Sequence, residues 1–315
     1  MYSLRSWRNN KLSHKKQKQM QIKSKLTVEN KLSITGWFFI LPATLLIFAM
    51  SFYPMFKALY MSFRTGIGVN MEWAGLYNFT RMLKDKIFMQ SVRNNFFYLI
   101  IQVPIMLVLA ITLASILNNP KLKYKGLFRI LLFLPCATPL VAYSVIFRSL
   151  FAIDGYFNTI LLNFGILSKA YNFLGHPTSA KIVIIIALIW RWTGYNIVFY
   201  LAGLQNIDPS IYEAVKLEGA SKFQTFFSIT APLLKPMILL TSIMSINGTL
   251  QLFDESVNLT AGGPANASIT MSHYIYNLSF KYVPNFGYAA ALSYVILLLV
   301  AFLALIQMKV VDVRD

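Results

Sequence analysis

Six stretches of this chain run without charge, or nearly so, for as long as a helix needs to cross a bilayer, and that limits the fold more than any other feature. Five contain no charged residue: 36–56, 94–118, 130–147, 236–253 and 286–308. A sixth, 182–204, is interrupted only by Arg191. A hydrocarbon core about 30 Å thick needs about 20 helical residues at about 1.5 Å each, and these runs are 18 to 25 residues long. Backbone polar groups in lipid must find partners inside the protein, which a helix provides. The expectation is an all-α integral membrane protein with six transmembrane helices in a domain spanning residues 36–308. Composition agrees, because 13% of residues are charged against about 25% in soluble domains. Residues 155–168 are also uncharged but too short to span, and read as an interfacial or partly buried helix.

The few charges are lopsided: 29 Lys and Arg against 11 Asp and Glu, a net of +18. In a soluble protein that excess would point to nucleic acid. Here the six spans sort it by side, with eighteen basic residues on the side of both termini, ten on the other and Arg191 between them. Cytoplasmic loops retain Lys and Arg, so both termini are expected in the cytoplasm and nucleic acid is not needed. Residues 1–35 form a basic tail, too basic and too long for a cleavable signal peptide, and suited to anionic lipid headgroups. Residues 309–315 form a short second tail. Cys136 is the single cysteine, so no intrachain disulfide is expected. His14, His176 and His273 are scattered, so no metal site is expected either. No string of P-loop form that would cradle ATP occurs.

Residues 206–232 form the longest inner connection. Asp208 can cap a helix and Pro209 suits its first position. A helix over 210–218 then meets Gly219, the residue type favoured just beyond a helix end. A second helix is expected from Ser221 to about Thr230, ending before Pro232. Ile211, Val215, Leu217, Phe223, Phe226 and Phe227 are too apolar for a freely solvated loop, which implies a partner or the membrane surface.

Within this connection Glu213-Ala214-Val215, then Gly219 and Ala220, then Ile229 with Pro232, resembles the EAA loop of permeases from ATP-binding-cassette importers. Val215 departs from the usual third alanine, Ala231 stands where leucine is usual, and Glu218 precedes the glycine where aspartate is common. More distant pieces resemble the sugar branch of that family, of maltose and glycerol-phosphate type and first-subunit kind. They are Trp73-Ala-Gly-Leu-Tyr-Asn-Phe79, Gly126-Leu-Phe-Arg129 with Phe133-Leu-Pro135, and Trp190-Arg-Trp-Thr-Gly194, followed by Leu201-Ala-Gly-Leu-Gln205, Phe253-Asp254 and Gly262-Gly-Pro264.

The resemblance implies the type I ABC importer permease fold in a bacterial or archaeal inner membrane. It implies a second homologous permease, two ATP-binding cassette subunits that hold ATP and Mg, and an extracytoplasmic solute-binding protein. This chain would then bind no cofactor and carry no catalytic residue. The coupling helix that docks on an ATP-binding subunit would use Tyr212, Glu213, Ala214, Leu217, Glu218, Gly219, Ala220 and Phe223. Polar and aromatic groups inside spans four and five are candidates for the substrate path: Trp190, Arg191, Trp192, Tyr195, Asn196, Ser245, Asn247, Thr249, Gln251 and Asp254. Rings with hydroxyls and amides suit a sugar or oligosaccharide. Trp190 and Trp192 can equally be packing residues, and Ser242 and Ser245 helix-to-helix glue. Arg191 needs an acidic partner such as Asp254 or Glu255, a water-filled cavity, or attachment to a neighbouring carbonyl. A permease for a non-sugar solute such as a glycerol-phosphate ester is the nearer alternative. An ion-driven secondary transporter is the more distant one, because no span contains Asp or Glu.

Overall fold

A computed structural model describes residue 33 and residues 35–67 and 70–310. Most of the basic tail and the last five residues, for which a lipid-facing or cytoplasmic placement is expected, lie outside the described residues. The chain forms two units, Met1–Tyr60 and Met61–Asp315. Among the described residues, five helices are long and apolar enough to span a membrane: Thr35–Ser62 (α1), Lys86–Asn118, Pro177–Gln205, the stretch Lys235–Asn258, and Phe286–Lys309. A sixth span is a bent pair, Lys125–Ala137 with Leu140–Leu150.

In the first unit the helix carries its apolar side chains outward, Trp37, Phe38 and Phe39 among them. Phe48–Phe52 forms a π turn, with the Tyr53 N–H donating to the Phe48 carbonyl. Pro54 follows at once and has no N–H to give, so the widened turn re-sets the ladder around it.

The second unit opens with a hairpin, β1 (Arg64–Ile67) against β2 (Asn70–Trp73), antiparallel with Arg64 opposite Trp73. Helix α2 (Tyr77–Lys84) follows. Buried Asn78 donates to the Ser62 carbonyl at 2.9 Å and the Arg64 carbonyl at 2.7 Å, which ties the Trp73–Phe79 motif to the hairpin. Asp85 then caps α3 (Lys86–Asn118), its carboxylate accepting from Ile87 N–H at 2.9 Å and Phe88 N–H at 3.1 Å. Span two therefore begins eight residues before the uncharged run, because Lys86 and Arg93 ended the run without ending the helix.

Span three, expected over 130–147 with Pro135 and Pro139 inside it, is not one continuous helix. It consists of α4 (Lys125–Ala137) and α5 (Leu140–Leu150), bent by 98°. Helix α6 (Tyr156–Asn163) is the short helix expected between spans three and four. Helix α7 (Pro177–Gln205) is span four. Then come α8 (Pro209–Leu217) and α9 (Lys222–Thr225). A second π turn over Phe226–Thr230 leads into the three residues Ala231–Leu233. The second helical stretch thus passes through Pro232 instead of ending before it. Ala231 N–H donates to the Phe226 carbonyl in the wider register just ahead of the proline, as happens before Pro54.

Span five is α10 (Lys235–Leu250), a break, and α11 (Asp254–Asn258). The connection to span six packs into the body of this unit. It holds α12 (Met271–Tyr276) and buries Ile269, Met271, Tyr274 and Leu278 against α3 and the last helix, α13 (Phe286–Val310). A second core surrounds Tyr98, Tyr143, Phe147 and Val183, and a third holds Ala110, Ala114, Ile197, Tyr200 and Leu234. Ala110 and Ala114 of α3 face α7, where small side chains allow close helix approach.

Candidate functional site

Two spans are interrupted, and the carbonyls each break exposes are met by buried polar side chains from neighbouring helices. In span three, Thr138 takes an extended backbone ahead of Pro139, which has no N–H to continue the ladder. The Cys136 and Thr138 carbonyls therefore lack helical donors, and Pro135 has only the Thr138 N–H at 3.3 Å. Arg191 of α7 supplies them: its guanidinium donates to the carbonyls of Thr138 at 2.6 Å, Pro135 at 3.2 Å and Cys136 at 3.3 Å. The cation lies at a helix C-terminus, where the dipole favours it, and over the Tyr143 ring at 4.8 Å. Gly194, one turn further along α7, has no room for a side chain, since a methyl there would lie 2.0 Å from the Leu132 carbonyl oxygen. The Trp190–Gly194 motif and the Phe133–Pro135 motif thus meet in space.

In span five the ladder stops at Leu250 and restarts at Asp254. Asn95 of α3 donates to the carbonyls of Thr249 at 2.8 Å and Leu250 at 3.0 Å. Its own carbonyl oxygen accepts from Met271 N–H at 3.0 Å. The Thr270 hydroxyl donates to the Leu252 carbonyl at 2.6 Å. Such breaks persist at membrane depth only where protein satisfies the freed groups.

Between the breaks lies a cavity of about 360 Å³, at the small end of the range for ligand pockets. Of the ten residues chosen from sequence for the path, eight line it: Trp192, Tyr195, Asn196, Ser245, Asn247, Thr249, Gln251 and Asp254. The rings of Trp192 and Tyr195 stand nearly perpendicular, 5.7 Å apart. Gln251 donates to the Asn247 side-chain oxygen at 2.5 Å. Asn196 is buried, donating to the Trp192 carbonyl at 2.9 Å. Trp190 is turned away, 5.4 Å from Phe147 and 6.5 Å from Tyr143. Arg191 is spent on the helix break, so among the open alternatives it is the neighbouring carbonyls that hold it. Ser242 donates to the Leu239 carbonyl and accepts from Gln307 of α13 at 3.1 Å, a link between spans.

Several lining residues were not singled out from sequence. Gln102 and Met106 come from span two; Gln102 accepts from the Thr249 hydroxyl at 3.1 Å. Glu255 also lines the cavity, almost wholly buried, and accepts from the Tyr143 hydroxyl. A polar pair at 95 and 102, two turns apart on α3, was the available signal for span two. Glu255, weighed from sequence only as an acidic partner for Arg191, instead accepts from Tyr143 at the cavity wall.

The coupling-loop residues sit together on α8 and the turn after it. Asp208 accepts from Ser210 N–H at 2.9 Å and Pro209 opens the helix. The carboxyl of Asp208 is held below its usual range by this backbone hydrogen bond and by the Ser210 hydroxyl. Gly219 ends the helix at φ +76° with open space around it, so it is the left-handed backbone, not crowding, that favours glycine. Ser221 and Gln224 then form a reciprocal cap: Ser221 N–H donates to the Gln224 side chain at 2.9 Å, and Gln224 N–H to the Ser221 hydroxyl at 3.2 Å. Glu213, Ala214 and Glu218 are exposed, Tyr212 and Ala220 half-buried. Leu217 is 90% exposed and Phe223 73%, and the Phe223 ring lies 4.5 Å from that of Phe227. Tyr212 reaches back to the Thr230 hydroxyl at 3.3 Å.

Comparison with known proteins adds four findings. The model of the binding-protein-dependent transport system inner membrane component family matches residues 106–314. The chain is 48% identical over 290 residues to the lactose transport system permease protein LacF of Rhizobium radiobacter, covering 91% of this chain and 97% of the relative. It is 31% identical to the arabinooligosaccharides transport system permease protein AraP of Halalkalibacterium halodurans, over 90% of this chain and 89% of the relative. In fold it is similar to a chain of a bacterial ABC transporter involved in import of the acidic polysaccharide alginate, with a TM-score of 0.81, 20% identity and coverage of 92% of this chain and 100% of that one.

Proposed function

The chain belongs to the family of inner membrane components of binding-protein-dependent transport systems, and we propose that it is the permease subunit of an ATP-driven importer that carries a sugar or oligosaccharide into the cell. The observation that carries the sugar reading is the cavity between the two broken spans. Three aromatic rings, four amide side chains and the hydroxyls of Ser245 and Thr249 converge there, matching a solute with apolar C–H faces ringed by hydroxyls. The names of the lactose and arabinooligosaccharide relatives support the same reading.

Both termini and the 206–234 connection face the cytoplasm in this reading, on the side with eighteen of the 29 basic residues. A second permease of the same family completes the cavity, and an extracytoplasmic binding protein delivers the solute to the opposite face. ATP and Mg are held by two separate subunits, and this chain performs no ATP chemistry. Helix α8 is the coupling element: a capped, rigid nine-residue helix with Leu217, Phe223 and Phe227 bare beside it. Apolar side chains this exposed, next to Glu213 and Glu218, fit a partner groove with an apolar floor and a basic rim. Closure of the ATP-binding subunits would draw two such helices together and turn the cavity outward, and hydrolysis would reset it.

The complete transporter, reconstituted in vesicles with its binding protein, tests the reading. Sugar should raise ATP hydrolysis and accumulate inside, and Glu213→Ala should uncouple the two. Uptake by this chain alone, driven by an ion gradient, would overturn it.

A further inference from the structure

The charge of the cavity wall goes a step beyond the sugar reading, on which it rests. Among the described residues that line the cavity, the only ionisable acids and bases apart from Tyr195 are Asp254 and Glu255. The nearest arginine, Arg191, is held by three carbonyls and by the Tyr143 face, and does not line the space. The two carboxyls are not equivalent. Glu255 is almost wholly buried and accepts from Tyr143, whereas Asp254 is half-exposed at the start of α11. Asp254 is thus the residue that meets the solute's charge. A carboxylate here accepts hydrogen bonds from sugar hydroxyls, as do the exposed amides of Asn247 and Gln251.

We propose that Asp254, backed by Glu255, makes this subunit's half of the cavity selective for uncharged saccharides and excludes uronates, aldonates and phosphate esters. The same feature excludes a glycerol-phosphate ester as cargo. Selection by repulsion needs no contact specific to the preferred solute; it needs only that a second negative charge find no answering cation.

The test uses the assembled transporter in lipid nanodiscs, without binding protein or nucleotide, so that the cavity is read apart from delivery. Intrinsic fluorescence is titrated with lactose and with lactobionate, its aldonate of similar size, and the signal from the cavity is the part lost in Trp192→Phe. Lactobionate should need at least about tenfold more solute than lactose, equivalent to about 1.4 kcal/mol. Asp254→Asn should shrink that ratio to about threefold or less, and Glu255→Gln should shrink it to a smaller extent. Equal titration of both sugars in the unmodified protein would overturn the charge selection while leaving sugar transport standing. An unchanged ratio in both variants, with the transporter assembled, would assign the exclusion elsewhere and overturn the role of Asp254. If neither sugar changed the Trp192 signal, the cavity itself would be the wrong site.

Discussion

Replacing Arg191 by methionine, close to it in length but without charge, should cost this protein about 3 kcal/mol. The Thr138 and Cys136 carbonyls lose their donor in that change, and Pro135 keeps only the Thr138 N–H at 3.3 Å. The bond to Thr138, at 2.6 Å, is short; those to Pro135 and Cys136, at 3.2 and 3.3 Å, are long. Taking about 2 kcal/mol for the charged short bond and about 1 for each long one gives about 4. About 1 kcal/mol returns because a guanidinium no longer has to be buried, and the arginine's Nε finds no partner even in the intact protein. At roughly 2–4 °C per kcal/mol, the apparent melting midpoint should fall by roughly 6–12 °C, read at one fixed scan rate in one detergent. Arg191→Lys, which keeps the charge but offers a single point donor, should recover about half. Sugar uptake should fall in both variants in the same order as stability. A methionine variant melting within about 2 °C of the parent would refute the claim that this side chain holds the broken span together.

Three further outcomes follow from the geometry. Asn95→Leu should destabilise by about 3 kcal/mol, because it orphans the Leu250 carbonyl and the Met271 N–H and leaves the Thr249 carbonyl only backbone donors, such as the Leu252 N–H at 3.3 Å; thermal melting checks this, and a loss below about 1 kcal/mol would contradict it. Gly219→Val should lower sugar-stimulated ATP hydrolysis while Gly219→Asn largely keeps it, since the position demands φ +76° but offers open space and asparagine tolerates that backbone. His273, buried beside Ser256, has its pKa pulled from 6.5 down to about 4 by burial and then by the charge of Lys281. The unfolded chain therefore binds a proton that the folded one refuses between those values. Stability should drop as pH falls from 6.5 towards 4, by at most about 1.4 kcal/mol per unit. His273→Gln should flatten that slope in pH-dependent melting.

The spans were legible because a run of twenty uncharged residues has few other fates. Their ends were less so: Lys86 and Arg93 lie on the same helix as the apolar stretch, and charge marks the edge of lipid, not the edge of a helix. The coupling connection was legible residue by residue because capping chemistry is local, as Asp208, Pro209 and Gly219 illustrate. The helix breaks were not. Pro139 lies within the third uncharged run, but a bend of 98° depends on donors fifty residues away. The break after Leu250 contains no proline or glycine in its interrupted residues Gln251–Phe253. Eight path residues came from spans four and five because polar groups there stand out against lipid-facing neighbours. Gln102 and Met106 were missed because which face of a long helix meets a cavity is a matter of packing, not of spacing alone.

The bond between Arg191 and the end of α4 also bears on how the chain enters its membrane. An arginine inside a span costs up to about 2.5–3.5 kcal/mol on insertion scales, and the under-bonded carbonyls ahead of Pro139 in the preceding span are a liability of similar size. Neither segment sits comfortably in lipid by itself, and each cancels the other's penalty once they meet. Spans three and four should therefore leave the insertion machinery as a pair, with span three held near the channel until the arginine arrives.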